Sequence, residues 1–149
     1  MKFIDTHTHL DGDEFDTDRD LVMERAREAG VSKVFIPSID LKSVKTVIDT
    51  CQHYPGYAYP MIGLHPEEVR ADWCNVLDEM QQMLKPGHPF IAIGEVGLDY
   101  YWSREFEKEQ MQAFERQVEW SIDTRLPLIN HCRKAKNEML KMLGKYRDV

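Results

Sequence analysis

Five short apolar runs, each followed by a longer segment with apolar residues at helical spacing, divide this chain of 149 residues from end to end. Strands are expected at 2–5, 32–37, 57–63, 90–94 and 126–130. Helices are expected at 17–29, 41–53, 71–85, 104–124 and 134–145, the first stopped by Gly30. Val44, Val47 and Ile48 share one face of the second helix, and Met111, Phe114, Val118 and Ile122 one face of the fourth. The unbroken run Phe90-Ile91-Ala92-Ile93 suits a strand covered on both sides. Strict strand–helix alternation implies a parallel sheet with right-handed crossovers. A doubly wound sheet and a (β/α)₈ barrel both satisfy it. The glycine-rich phosphate turn of a dinucleotide fold is absent after the first run, where His7-Thr8-His9 stands instead. Polar residues cluster after the apolar runs, where barrel enzymes place their sites.

Composition narrows the class. Hydrophobic residues make up 42% and charged residues 30%, as expected for a globular domain with a core. No apolar run approaches the ~20 residues of a membrane span, and the N-terminus lacks a signal-peptide pattern, so a cytoplasmic setting is expected. Cys51, Cys74 and Cys132 are scattered, without a Cys-X-X-Cys pair, which argues against a disulfide framework or a structural zinc site. They are read as reduced and mostly buried, with Cys132 turned away from its neighbours into the core. The net charge of −7 argues against nucleic-acid binding through a broad basic face. It leaves phosphate chemistry open, because a bound divalent cation inverts the local field.

Chemistry concentrates at the ends of the expected strands. His7 and His9, two apart at the end of the first, point the same way. His65 follows the third strand, Glu95 the fourth and His131 the fifth. Around the mouth of a barrel these side chains converge. Imidazole plus carboxylate is the ligand set of zinc, manganese, iron or nickel hydrolase sites. One carboxylate between two histidine clusters can bridge two metals about 3.5–4 Å apart. His53 and His88 are read as loop residues, Asp11 and Asp13 as turn formers, and the Asp99-Tyr100-Tyr101-Trp102 run as either a base-stacking group or a packed cluster.

Five blocks carry a family resemblance: Asp5 to Leu10 (DTHTHL), Gly63 to Pro66 (GLHP), Gly94 to Tyr101 (GEVGLDYY), Glu107 to Gln117 (EKEQMQAFERQ) and Pro127 to Ala135 (PLINHCRKA). In this order and spacing the chain resembles the TatD family of metal-dependent hydrolases, whose fold is a TIM-type (β/α)₈ barrel. The resemblance implies that residues 1–149 form the N-terminal part of such a barrel, about five of eight units, since a complete one takes about 250 residues. It implies two divalent metal ions, of zinc, manganese, magnesium, iron or nickel. His7 and His9 would hold the first, Glu95 would bridge both, and His131 would hold the second. His65 would contact the reacting phosphate or the attacking water, and Arg133 the substrate phosphate. The family pattern continues with a histidine after strand six and an aspartate after strand eight, which this chain does not contain.

The leading expectation is a deoxyribonuclease, or another phosphodiesterase, that works by metal-activated water. The same site acting on a small ester, amide or lactone is the alternative. A non-catalytic barrel fragment that self-associates through exposed strand edges is the third reading.

Overall fold

The computed structural model describes residues 2–147. The strands are β1 (Phe3–Asp5), β2 (Val31–Ile36), β3 (Ala58–Pro60), β4 (Ile93–Asp99) and β5 (Leu128–Arg133). The helices are α1 (Arg19–Glu28), α2 (Leu41–His53), α3 (Trp73–Gln82), α4 (Glu107–Thr124) and α5 (Lys136–Leu143), so the expected alternation is present in full. β1 pairs with β2, β2 with β3 and β4 with β5, all in parallel. A bridge between Ile62 and Ile93 joins the two groups, with the Gly94 N–H donating to the Ile62 carbonyl at 2.8 Å. Neighbouring parallel strands cannot be joined by a hairpin, so a helix-bearing crossover separates each from the next.

Alternation within the strands divides the molecule into two faces. Val34 and Ile36 of β2, with Ala58 of β3, are buried and pack with Met23 of α1 and Val47 and Cys51 of α2. A larger cluster joins Ile93, Val96 and Leu98 to Leu77, Met80, Phe114, Val118 and Met142 of the later helices. The intervening residues, among them Lys33, Phe35, Tyr59 and Ile129, line a groove of about 400 Å³. α2 begins with a reciprocal cap: the Ser43 N–H donates to the Asp40 carboxylate at 2.7 Å, and the Asp40 N–H donates to the Ser43 hydroxyl at 2.9 Å.

Three expectations change. β1, whose apolar Phe3-Ile4 pair suits a buried strand, leaves both residues half exposed, because β2 flanks it on one side and, among the described residues, no strand pairs with the other. β4 and β5 run further than their apolar segments suggest, to Asp99 and Arg133. Glu95 and His131 therefore stand within strands rather than after them. Polar residues continue these strands because their side chains find polar partners across the end of the sheet. On α1, where Leu21 opens the apolar spacing of the helix, that residue is exposed and Met23 enters the core instead.

Two glutamines of α4, inconspicuous in the sequence, anchor the strand ends. The Gln117 amide accepts from the Leu64 N–H at 2.7 Å and donates to the Leu64 carbonyl at 3.3 Å. The Gln110 amide makes the same pair with the Asp99 backbone, at 2.9 and 3.0 Å. Both side chains are buried. Gln117→Leu keeps the size and strands two backbone groups away from water, which is expected to cost about 1–3 kcal/mol. Urea denaturation checks this; a loss below about 0.5 kcal/mol, the range of ordinary surface substitutions, would contradict the clasp.

Candidate metal centre

The Glu95 carboxylate lies between four imidazoles. Its Oε2 is 3.0 Å from His7 Nε2 and 3.4 Å from His9 Nε2. Its Oε1 is 3.6 Å from His65 Nε2 and 3.2 Å from His131 Nδ1. Each oxygen thus faces one pair of histidines. The backbone explains the convergence. The Thr8 N–H donates to the Phe35 carbonyl at 3.1 Å, continuing β1 alongside β2 and turning His7 and His9 to one side. The buried Ser38 hydroxyl both donates to the Gly63 carbonyl and accepts from the Gly63 N–H, at 2.9 Å each. The Ser38 carbonyl accepts the Glu95 N–H at 3.0 Å. Gly63 is required by closeness: a Cβ there would fall 2.8 Å from the Gly94 carbonyl carbon. Gly97, with φ +141°, faces the His131 carbonyl with no room for a side chain.

Ligand spacing tests whether a cation fits. Tetrahedral ligands at about 2.0–2.1 Å from zinc stand roughly 3.3 Å from one another. His7 Nε2, His9 Nε2 and Glu95 Oε2 are mutually 3.0, 3.2 and 3.4 Å apart. Two imidazole lone pairs and a carboxylate at such distances need a proton or a metal between them. In the second group, His65, Glu95 and His131 offer ligand atoms within 4.8 Å of one another. Their hydrogen bonds assign unequal parts. His131 Nε2 faces the Asp99 carboxylate at 2.7 Å, so in the neutral ring the proton belongs there and the Nδ1 lone pair faces Glu95. His65 Nδ1 accepts the Glu67 N–H at 3.1 Å, so in the neutral ring Nε2 bears the proton. His131 can therefore hold a cation through Nδ1, whereas His65 offers an N–H donor.

Burial alone would raise the Glu95 carboxyl, but hydrogen bonds from His131, His65 and His9 outweigh it and hold the group well below the usual carboxylate range. The hydrogen bond to Glu95 raises His9 above its ordinary 6.5, and the same partner, with Asp99, raises His131. At Asp99, burial is outweighed by the Tyr101 N–H and His131, and the carboxyl is lowered.

His7, His9, His65, Glu95 and His131 are thus brought together. Arg133 lies apart from them on β5, its guanidinium over the Tyr101 ring at 3.7 Å. Asp99, as a partner within this centre, is the residue that sequence reasoning missed. Read through its full length, β4 places Glu95, Gly97 and Asp99 on one face, and that period of two was the available signal. Asp11, read as a turn former, is buried, accepts from the Thr46 hydroxyl at 2.7 Å and lines the same cavity as His9 and Glu95. Cys51 is buried as expected, but Cys74 and Cys132 are exposed, the latter because no described element covers that side of β5.

Asp99→Asn weakens the hold on the His131 proton and is expected to lower zinc affinity about 10–100-fold, measured by chelator competition. Unchanged affinity would remove Asp99 from the centre. The raised histidines also set a pH dependence. Their stabilisation of the metal-free fold is fully present below about pH 6.5 and lost as pH rises through their elevated values. Urea midpoints of the metal-free protein should therefore fall between pH 6 and 9. Saturating zinc should remove that fall, because the metal takes deprotonated imidazole.

The family model described as TatD related DNase matches residues 4–149. The chain is 30% identical over 145 residues to the uncharacterized metal-dependent hydrolase YabD of Bacillus subtilis (strain 168), covering 93% of this chain and 54% of that protein. It is 29% identical over 139 residues to the 3′-5′ ssDNA/RNA exonuclease TatD of Musicola paradisiaca (strain Ech703), covering 93% of this chain and 52% of that one. The crystal structure of YjjV, a TatD homologue from Escherichia coli K12, superposes with a TM-score of 0.85 at 27% identity, over 97% of this chain and 56% of that one. The chain thus spans about half the length of the curated relatives it matches. With the matched residues running almost throughout, and with histidines and a carboxylate gathered at the strand ends, the chain belongs to the TatD family of metal-dependent hydrolases.

Proposed function

We propose that residues 1–149 are the N-terminal, five-unit part of a (β/α)₈ barrel domain whose centre hydrolyses phosphodiester bonds in nucleic acid, DNA above all, with two divalent metal ions. The observation that carries this reading is the division of Glu95, one oxygen toward His7 and His9, the other toward His131 and His65. The barrel reading is supported by the sequential order of parallel strands and by the groove on the face away from the helices. The nucleic-acid reading is supported by relatives named as 3′-5′ ssDNA/RNA exonucleases.

In this reading His7, His9 and Glu95 would hold one ion, and Glu95 with His131 would hold the other. The imidazole share favours zinc, manganese, iron or nickel over magnesium. When bound, such ions supply Lewis acidity, which generates a nucleophile near neutral pH and offsets charge on the phosphoryl group. Asp99 keeps the His131 proton on Nε2. His65 directs its Nε2–H toward the carboxylate side of the cavity, where it can donate to a phosphoryl oxygen or orient the attacking water. Arg133 meets a substrate phosphate with its guanidinium.

A second substrate class has its own support. The cavity beside His9, His65 and Glu95 is rimmed by Asp11, Asp13, Glu14, Asp40 and Glu67. That acidic rim opposes a polyanion and suits a small ester, amide or lactone. The cytoplasmic reading is supported by three free cysteines. No described helix is long and apolar enough to cross a membrane. Self-association of the 149-residue chain is supported by the half-exposed Phe3 and Ile4 of β1.

A labelled single-stranded DNA oligonucleotide and a panel of small esters and amides, each tested with added zinc or manganese, separate the substrate classes. Hydrolysis of either is expected to cease on chelation and return with metal. Glu95→Ala is expected to lower it at least about 100-fold, since it removes a ligand shared by both ions. Full activity of Glu95→Ala, or activity in metal-free protein, would defeat the proposal.

A further inference from the structure

The metal centre continues into a second feature that it does not need for its own assembly. Two and three residues beyond β4, Tyr101 and Trp102 are 48% and 69% exposed, with their rings edge to face at 4.7 Å. Exposed indole is costly to leave in water unless something covers it. The Arg133 guanidinium lies 3.7 Å from the Tyr101 ring centroid and 5.3 Å from that of Trp102. Resting over an aromatic ring, a guanidinium keeps in-plane N–H donors for phosphate oxygens.

The pair is held in place from the metal side. The Tyr101 N–H donates to Asp99 Oδ1 at 2.9 Å, and the other oxygen of that carboxylate holds His131 at 2.7 Å. Trp102 is three residues from Asp99, so its backbone lies within about 11 Å of it. Trp102 and Asp99 line a cavity of about 420 Å³, a size common for ligand sites. Its wall includes Glu67, which also lines the cavity beside His9, His65 and Glu95. The two cavities thus share a rim.

We infer that Trp102, Tyr101 and Arg133 form a nucleotide subsite, in which an unpaired base stacks on the Trp102 indole while Arg133 takes the adjoining phosphate. The inference rests on the phosphodiesterase reading and deepens it by naming what the substrate presents beside the scissile bond. Stacking needs a free base face, which a duplex does not offer, so the subsite selects single strands. Every base has such a face, so it selects weakly among sequences. A neutral base also tolerates the nearby Glu67, Glu68 and Glu105, which would repel a phosphate.

The test uses a thymidine hexanucleotide and a hexamer of abasic sugar-phosphates of equal charge, titrated into the metal-free 149-residue protein. Fluorescence anisotropy of the labelled oligomers gives affinity, and tryptophan emission reports contact with the exposed indole. The base-bearing oligomer is expected to bind about tenfold more tightly than the abasic one and to quench the emission. Trp102→Ala should erase the difference. Trp102→Phe should keep most of the affinity and lose the quenching. Arg133→Ala should weaken both oligomers alike. Equal affinity for the two oligomers, or Trp102→Ala binding like the parent, would overturn the subsite; so would failure of the hexanucleotide to bind. The parent reading is judged separately, by metal-dependent cleavage of the same hexanucleotide. Base-dependent binding without cleavage keeps the subsite and favours the non-catalytic reading of this chain, and cleavage without base dependence keeps the nuclease and removes the subsite.

Discussion

A single carboxylate organises this molecule. Glu95 is only 6% exposed, and burying its charge without partners would cost several kcal/mol. Four imidazoles, from the segments that follow β1 and β3 and from within β5, supply those partners. The constraint runs both ways. The histidines can meet only if β1, β3 and β5 deliver their ends to the same place as β4, and β4 must keep its register while carrying a charge. The Ser38 carbonyl, which accepts the Glu95 N–H, and the side-chain-free Gly63 beneath it satisfy the second condition.

α4 satisfies much of the first. Gln110 and Gln117 are seven residues apart, two helical turns, about 10.5 Å along the axis. Each amide clasps the backbone of one strand end, at Asp99 and at Leu64, immediately before His65. A rigid helix thereby fixes the separation between two polar positions of the site. The side-chain amides complete the backbone pairing that the strands themselves leave open at their C-terminal ends. Function is supported here by residues that touch no candidate ligand atom.

Periodicity and spacing made the alternation, the parallel pairing and the gathering of His7, His9, His65, Glu95 and His131 legible, because each depends on local pattern. What stayed hidden depends on partners distant in sequence. Glu95 and Asp99 look like residues that end a strand, and they continue it because His131 lies opposite them in β5. Gln110 and Gln117 look like ordinary polar residues on a helix, and only the Asp99 and Leu64 backbone shows why they are buried. Phe3 and Ile4 look like core, and their half-exposure follows from β1 having β2 on one side and no described strand on the other. Cys132 obeys alternation, but no described element covers its side of β5.

The two halves of the centre differ in their access to water, and that difference orders the chemistry within the proposed reading. The His7 and His9 side chains are 39% and 44% exposed, against 11% for His65 and 23% for His131. Water screens charge on the first side and much less on the second. A hydrogen bond from His65 Nε2 to a developing negative charge is therefore worth more than the same bond would be beside His7. His65 also has its ring fixed, since Nδ1 accepts the Glu67 N–H and Glu67 sits in the short helical turn Pro66–Glu68. A donor already oriented, in the drier half, is the arrangement that stabilises charge without reorganisation at the moment it forms. The open half, with its two solvent-facing imidazoles, is the side through which an ion and water can enter.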